Sequence, residues 1–187
     1  MQFHENRFYH IYNRGNDRQL IFFQLRNYFY FLNKMKHFLE PHCDILAYCL
    51  MPTHFHLLVH TRGLTGQTVG NRQTGMVRSI ASLLSSYSQG VNKQERRTGG
   101  VFQKKTKAKL IESSDYLNTC FHYIHQNPVK AKLATRPEEW SFSSYAAYAG
   151  LSDNIYCNVE AGYVFTGLKK SDFTEYSHNK FNPGESK

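Results

Sequence analysis

CDILAYCLMPTHFHLLVHT, residues 43–61, is two apolar, aromatic-rich runs joined at Pro52. Their composition and the proline between them predict a β-hairpin in mid-chain, CDILAYCLM paired with THFHLLVHT. Side chains alternate along a strand, so His54, His56, Leu58 and His60 share one face while Phe55, Leu57 and Val59 share the other. The apolar set is expected to face a core. The opposite face then presents His54 and His56 side by side, close enough to bind one metal ion from a rigid platform. An unadorned His-x-His is more often a pair of half-exposed strand histidines, so the motif needs a second observation beside it.

Working outward, RFYHIYN (residues 7–13) alternates as a strand and is closed by the breakers Gly15, Asn16 and Asp17. From Phe22 to Leu39 the apolar residues Phe22, Leu25, Phe29, Leu32, Met35, Phe38 and Leu39 recur at helical intervals, with Pro41 beyond them. After the hairpin, a polar loop from Gly63 to Gly75 leads to a second predicted helix, Met76 to Val91, carrying Ile80, Leu83, Leu84 and Tyr87 on one side. A strand is expected over Lys105 to Ile111. A third helix is expected over Asp115 to Gln126, capped by Ser113 or Ser114 and stopped at Asn127-Pro128. Residues 1–150 thus read as one domain, and 151–187 as an extension of short helices and loops, with no structure expected in the last ten residues.

The third helix supplies the second observation. Tyr123 and Asn127 are four residues apart, on one helical face. With Leu117, Phe121 and Ile124 buried, they fall at the rim of the packed stripe, where a helix presents polar groups to a cleft. Asn127 can give a carbonyl oxygen to a metal, and Tyr123 a phenol to a polarised phosphorus atom. With 13 tyrosines in the chain, Tyr123 alone would read as an ordinary tyrosine at the edge of a core.

Charge points the same way. Residues 1–136 hold 19 Lys and Arg against 7 Asp and Glu, whereas 137–187 hold 4 against 7. The densest stretch, NKQERRTGGVFQKKTKAK (92–109), sets Arg96, Arg97, Lys104, Lys105, Lys107 and Lys109 against the single acid Glu95. A polyanion is the simplest partner for it, held through its phosphates, with Phe102 available to stack on an unpaired base. No apolar run reaches the roughly 20 residues of a membrane span. The four scattered cysteines suggest neither a zinc ribbon nor a disulfide framework, which fits a soluble protein of the reducing cytoplasm.

These segments together resemble the REP-associated tyrosine transposases, single-tyrosine HUH enzymes related to insertion-sequence-200-like transposases. The resemblance rests on HIYNRGNDRQLIF near the start, LMPTHFHLLVH, GGVFQKKTKAKLIES, and YIHQNPVKAKL with its continuation to EEWSFSSYAAYAG, and covers residues 8–150. It implies an α+β, ferredoxin-like antiparallel sheet flanked by helices. It also implies His54, His56 and Asn127 as ligands of a divalent metal and Tyr123 as the nucleophile; paired imidazoles favour Mn and phosphoryl chemistry draws on Mg, so Mg or Mn is the expected ion. The implied substrate is single-stranded or hairpin DNA, cut through a 5′-phosphotyrosine by a monomer or homodimer. The chain departs from the pattern where Gln126 stands beside Asn127, and where Phe102, Lys104 and Lys105 replace a tryptophan and an arginine. Tyr87 is the rival nucleophile, although Val91, four residues on, cannot bind metal. A rolling-circle initiator would be longer and often carry a second tyrosine. A non-catalytic hairpin-binding module would have lost the site. A hydrolase using His60 would need an ion to span about 13 Å of strand.

Overall fold

The computed structural model describes residues 2–62, 73–153 and 155–174. Most of the loop expected at Gly63 to Gly75, and the last ten residues, lie outside them. Four strands form the sheet: β1 (Phe8–Arg14), β2 (Cys43–Met51), β3 (His54–Thr61) and β4 (Lys107–Ile111). They lie in the order β2-β3-β1-β4, every neighbour antiparallel. Helix α1 (Leu25–Leu39) joins β1 to β2, and α2 (Gln73–Gln94) joins β3 to β4, so each helix crosses over one intervening strand. This is the split βαβ arrangement of ferredoxin-like domains, as expected.

The sheet is buried on both faces, which is why β2 reads as an almost unbroken apolar run. On one face Ile11, Phe55, Leu57 and Val59 pack against Phe31, Leu32 and Met35 of α1 and against Ile80, Leu83 and Tyr87 of α2. On the other, Ala47, Cys49, Leu58 and Ile111 meet Leu117, Cys120, Phe121 and Ile124 of α3 (Ser114–Lys130). Leu25 and Phe29, counted in the sequence among the core stripe of α1, are 65% and 47% exposed. The stripe that packs is Tyr28, Phe31, Leu32, Met35 and Leu39.

Two details position the functional face. The hairpin tip of Pro52 and Thr53 accepts backbone hydrogen bonds from Ile21 (2.8 Å) and Gly15 (2.8 Å), pinning the end of β1 against β3. Only glycine fits at 15, because a Cβ there would stand 2.2 Å from the Gln19 carbonyl oxygen. Helix α3 starts at the Ser113 cap, whose hydroxyl accepts from the Tyr116 amide at 3.2 Å. It does not stop at Asn127-Pro128: the helix carries Pro128 inside it and ends at Lys130, with the Ala131 amide still bonded to the Asn127 carbonyl at 2.9 Å. Proline disfavours a helical residue before it without forbidding one, and burial of Asn127 and Pro128 in the packed face outweighs the lost bond.

The chain beyond α3 wraps the free edge of β2. Leu50 N donates to Phe142 O (2.9 Å), Trp140 Nε1 to Leu50 O (3.0 Å) and Asn158 N to Ile45 O (2.8 Å). Two short helices follow, α4 (Tyr145–Tyr148) and α5 (Val159–Thr166). The stretch read as an extension shares this core, since Phe173 is fully buried among Phe121, Tyr145 and Tyr148. Among the described residues no helix is long and apolar enough to cross a membrane.

Candidate active site

Strand register arranges the α3-side face of the sheet in rows. Met51, His54 and Arg14 form one row; Cys49, His56, Tyr12 and Lys107 form the next; Ala47, Leu58, His10 and Lys109 form a third. Helix α3 covers the apolar end of this face, Met51 and Cys49 of the first two rows stay buried, and the rest of those rows borders a cleft of about 330 Å³. Its walls include Tyr12, Arg14, His54 and His56 from the sheet, Lys105 and Lys107 from the basic stretch, and Tyr123 from the helix. Among the described residues no aspartate or glutamate lines it.

The two histidines of the hairpin stand with ring centroids 5.1 Å apart and planes perpendicular. In each ring Nδ1 is already engaged: His54 with the Thr53 hydroxyl at 3.0 Å, His56 with His10 Nε2 at 2.9 Å. Nε2 is therefore the nitrogen left to each for the cleft. Burial holds both rings in the neutral form that ligates metals. The pKa of His56 falls to about 2, with His10 and His54 adding to the effect, and that of His54 is lowered by burial and then by Arg14. His10, lowered to about 4 by burial and Lys109, is neutral as well.

Tyr123 overhangs this cluster, its ring edge-on to His56 at 5.5 Å and to His10 at 6.1 Å. It stays 38% exposed, and Lys130 Nζ lies 5.3 Å from its ring centroid. Burial of the phenol raises its pKa, with the side chain of Asn127 pulling the other way. Asn127 is buried, its amide nitrogen donating to the Tyr123 carbonyl at 2.8 Å, and it is not among the residues that line the cleft.

The remaining residues picked from the sequence divide. Lys105 and Lys107 line the cleft, Lys104 is exposed beside them, and Lys109 turns over the Tyr116 ring, 4.5 Å from its centroid. Arg96 and Arg97 lie just past α2, outside the cleft, with Arg97 over the Phe23 ring at 5.5 Å. Phe102 corrects the stacking role expected of it: the ring is 8% exposed and packs with Phe31, Phe55 and Tyr87 in the core. Tyr87, the rival nucleophile, is fully buried and donates to the Ile21 carbonyl at 2.5 Å. His60 packs between Phe8 and Phe165, away from the pair. His10, Tyr12 and Arg14 were missed as site residues. Their signal was the alternation of HIYNR, which puts all three on one face of β1.

Fold and cleft together define a class: a split βαβ domain whose basic, acid-free cleft holds paired imidazoles under a helix-borne tyrosine. A curated Haemophilus influenzae protein named as a REP-associated tyrosine transposase is 25% identical to the chain over 105 residues, which is 54% of this chain and 58% of that protein. The match thus spans little more than half the length of that relative. A solved structure of a REP-associated tyrosine transposase bound to a REP hairpin superposes with a TM-score of 0.59 at 15% identity, covering 84% of this chain and 94% of that one. No family model matches. The resemblance read from the sequence is therefore carried by a curated relative, and the fold by the solved structure.

Proposed function

We propose that this protein is a metal-dependent single-stranded DNA endonuclease and strand transferase, a transposase acting on hairpin DNA through a 5′-phosphotyrosine on Tyr123. One observation carries the reading: Tyr123 combines an exposed ring on a helix rim with edge-on contact to His56 of the His-x-His pair at the mouth of a basic cleft. The curated relative and the hairpin-bound structural neighbour support the same class of substrate.

The two cleft-facing imidazoles fit a divalent ion. His54 and His56 would hold it through Nε2; Asn127, buried and off the cleft lining with its amide nitrogen on the helix backbone, would have to turn Oδ1 toward them to join as third ligand. Among the described residues no three His, Cys, Asp or Glu are grouped so that they could hold a metal ion together, so the other ligands would be water and the DNA phosphate. Two imidazoles without a carboxylate suit Mn better than Mg. A bound ion would polarise the scissile phosphate.

The chain's own residues account for the rest. The Tyr123 oxygen bonds to phosphorus as the bond to the 3′ oxygen breaks, and the proton lost by the phenol is made up on the departing 3′ oxygen, which leaves as a hydroxyl. Attack by another 3′-hydroxyl reverses the step without ATP, since the phosphotyrosine conserves the phosphodiester's free energy. Arg14, Lys105 and Lys107 hold flanking phosphates in place. The test is a denaturing gel with labelled hairpin DNA and Mn. A covalent protein–DNA band is expected from the unaltered chain, and none from Tyr123→Phe or in EDTA. Hairpin binding with no band from any hairpin would instead indicate a binding module, and a band surviving in Tyr123→Phe would overturn the assignment of the nucleophile.

A further inference from the structure

His10 stands outside the His-x-His motif, 46 residues from its partner, yet its Nε2 lies 2.9 Å from His56 Nδ1 in a buried contact. The rings stack at 25° with centroids 5.1 Å apart. A hydrogen bond between two ring nitrogens contains one proton, and it can sit in two ways. If His10 donates, the single proton of a neutral His56 is on Nε2, and the nitrogen left for the cleft has no lone pair to give. If His56 donates from Nδ1, His10 accepts, and the His56 Nε2 lone pair faces the cleft. Lys109, opposite His10 in the register, does not compete for the imidazole, because its ammonium is drawn over the Tyr116 ring.

We propose that His10 is a positioning residue which accepts the Nδ1–H of His56 and so keeps the His56 Nε2 lone pair directed at the cleft before any ion arrives. The proposal rests on the reading of His54 and His56 as a metal pair. It adds that a third histidine, on a different strand, sets the tautomer on which the pair depends. A buried partner of this kind commonly changes metal affinity by about 10–100-fold.

The direct test is ¹⁵N NMR of the ring nitrogens in metal-free protein, with Mn affinity measured separately by calorimetry. The unaltered chain is expected to carry the His56 proton on Nδ1. In His10→Phe, nothing buried can accept it, so the proton should move to Nε2 and Mn binding should weaken about 10–100-fold. His10→Gln, whose side-chain carbonyl can still accept, is expected to restore both. Circular dichroism and hairpin binding in EDTA should stay unchanged, separating a tautomer effect from a damaged fold. A His56 proton on Nε2 in the unaltered chain overturns the proposal whatever the metal does. If the tautomer is as expected but the unaltered chain takes up no Mn, the metal reading fails while the role of His10 stands.

Discussion

Tyr123 and Tyr87 lie on different helices yet differ in one decisive respect, the fate of the hydroxyl. Tyr87 spends its proton on the Ile21 carbonyl inside the core, whereas Tyr123 holds its ring over paired imidazoles with part of its surface in water. Burial nonetheless keeps the Tyr123 phenol above its ordinary pKa, so at neutral pH the proposed nucleophile is protonated. Strand cleavage is therefore predicted to accelerate from about pH 7 to 9 in single-turnover assays; a flat profile would place loss of the phenolic proton outside the rate-limiting step. The lysines make a different prediction. Lys105→Ala and Lys107→Ala should each weaken binding and flatten its dependence on salt by roughly 0.7 in the log–log slope for a single strand. Arg97→Ala, remote from the cleft, should leave that slope unchanged, and equal slopes for all three would show that the cleft does not hold the strand. His54 and His56 were legible because two residues of one strand suffice to place them. Arg14 and His10 were not, because only the β1–β3 register, set across more than forty residues, shows what they face.

Helix α3 shows where local rules stop being decisive. Its cap at Ser113 and its buried stripe follow from sequence, but its end does not, since Pro128 is retained by packing that no short window contains. In α1 a regular apolar period mixed core residues with Leu25 and Phe29, because period reports a face without saying how much of it another element covers. Helix α5 was the least legible, being short and polar at its start, and its placement depends on a close approach. A Cβ on Gly162 would meet the Tyr148 hydroxyl at 1.7 Å, and that ring is fully buried with its hydroxyl bonded to the Leu46 carbonyl at 2.5 Å. The ring has no room to retreat. Gly162→Ala is predicted to cost about 1–3 kcal/mol, read from chemical denaturation, by levering α5 off the sheet. A variant as stable as its parent would mean that α5 shifts freely.

At the scale of the whole molecule, three of the buried imidazoles, His10, His56 and His125, have pKa values lowered to about 4, 2 and 3, chiefly by burial, from 6.5. In the window below pH 6.5 the unfolded chain binds protons that the fold excludes. Stability from this source is therefore complete above that pH and is lost as pH falls, by up to about 1.4 kcal/mol per pH unit for each group. The thermal midpoint, followed by circular dichroism, is predicted to drop steadily from about pH 7 to 5, and a constant midpoint would show that the rings take up protons without unfolding. The two edges of the sheet are treated differently. One is sealed by the chain's own residues 140–158, while β4, at the other, is five residues long and alternates lysine with smaller side chains. An open strand edge is a template on which a second polypeptide can add, and lysine is a standard guard against it. On the proposed function, Lys107 would hold two duties that pull against each other, attracting a phosphate backbone and repelling a sister chain, while Lys109, drawn over the Tyr116 ring, would serve the second. A nucleic acid that neutralised Lys107 would also weaken the guard on that edge, so occupancy by DNA and self-association of the protein would be coupled through that charge.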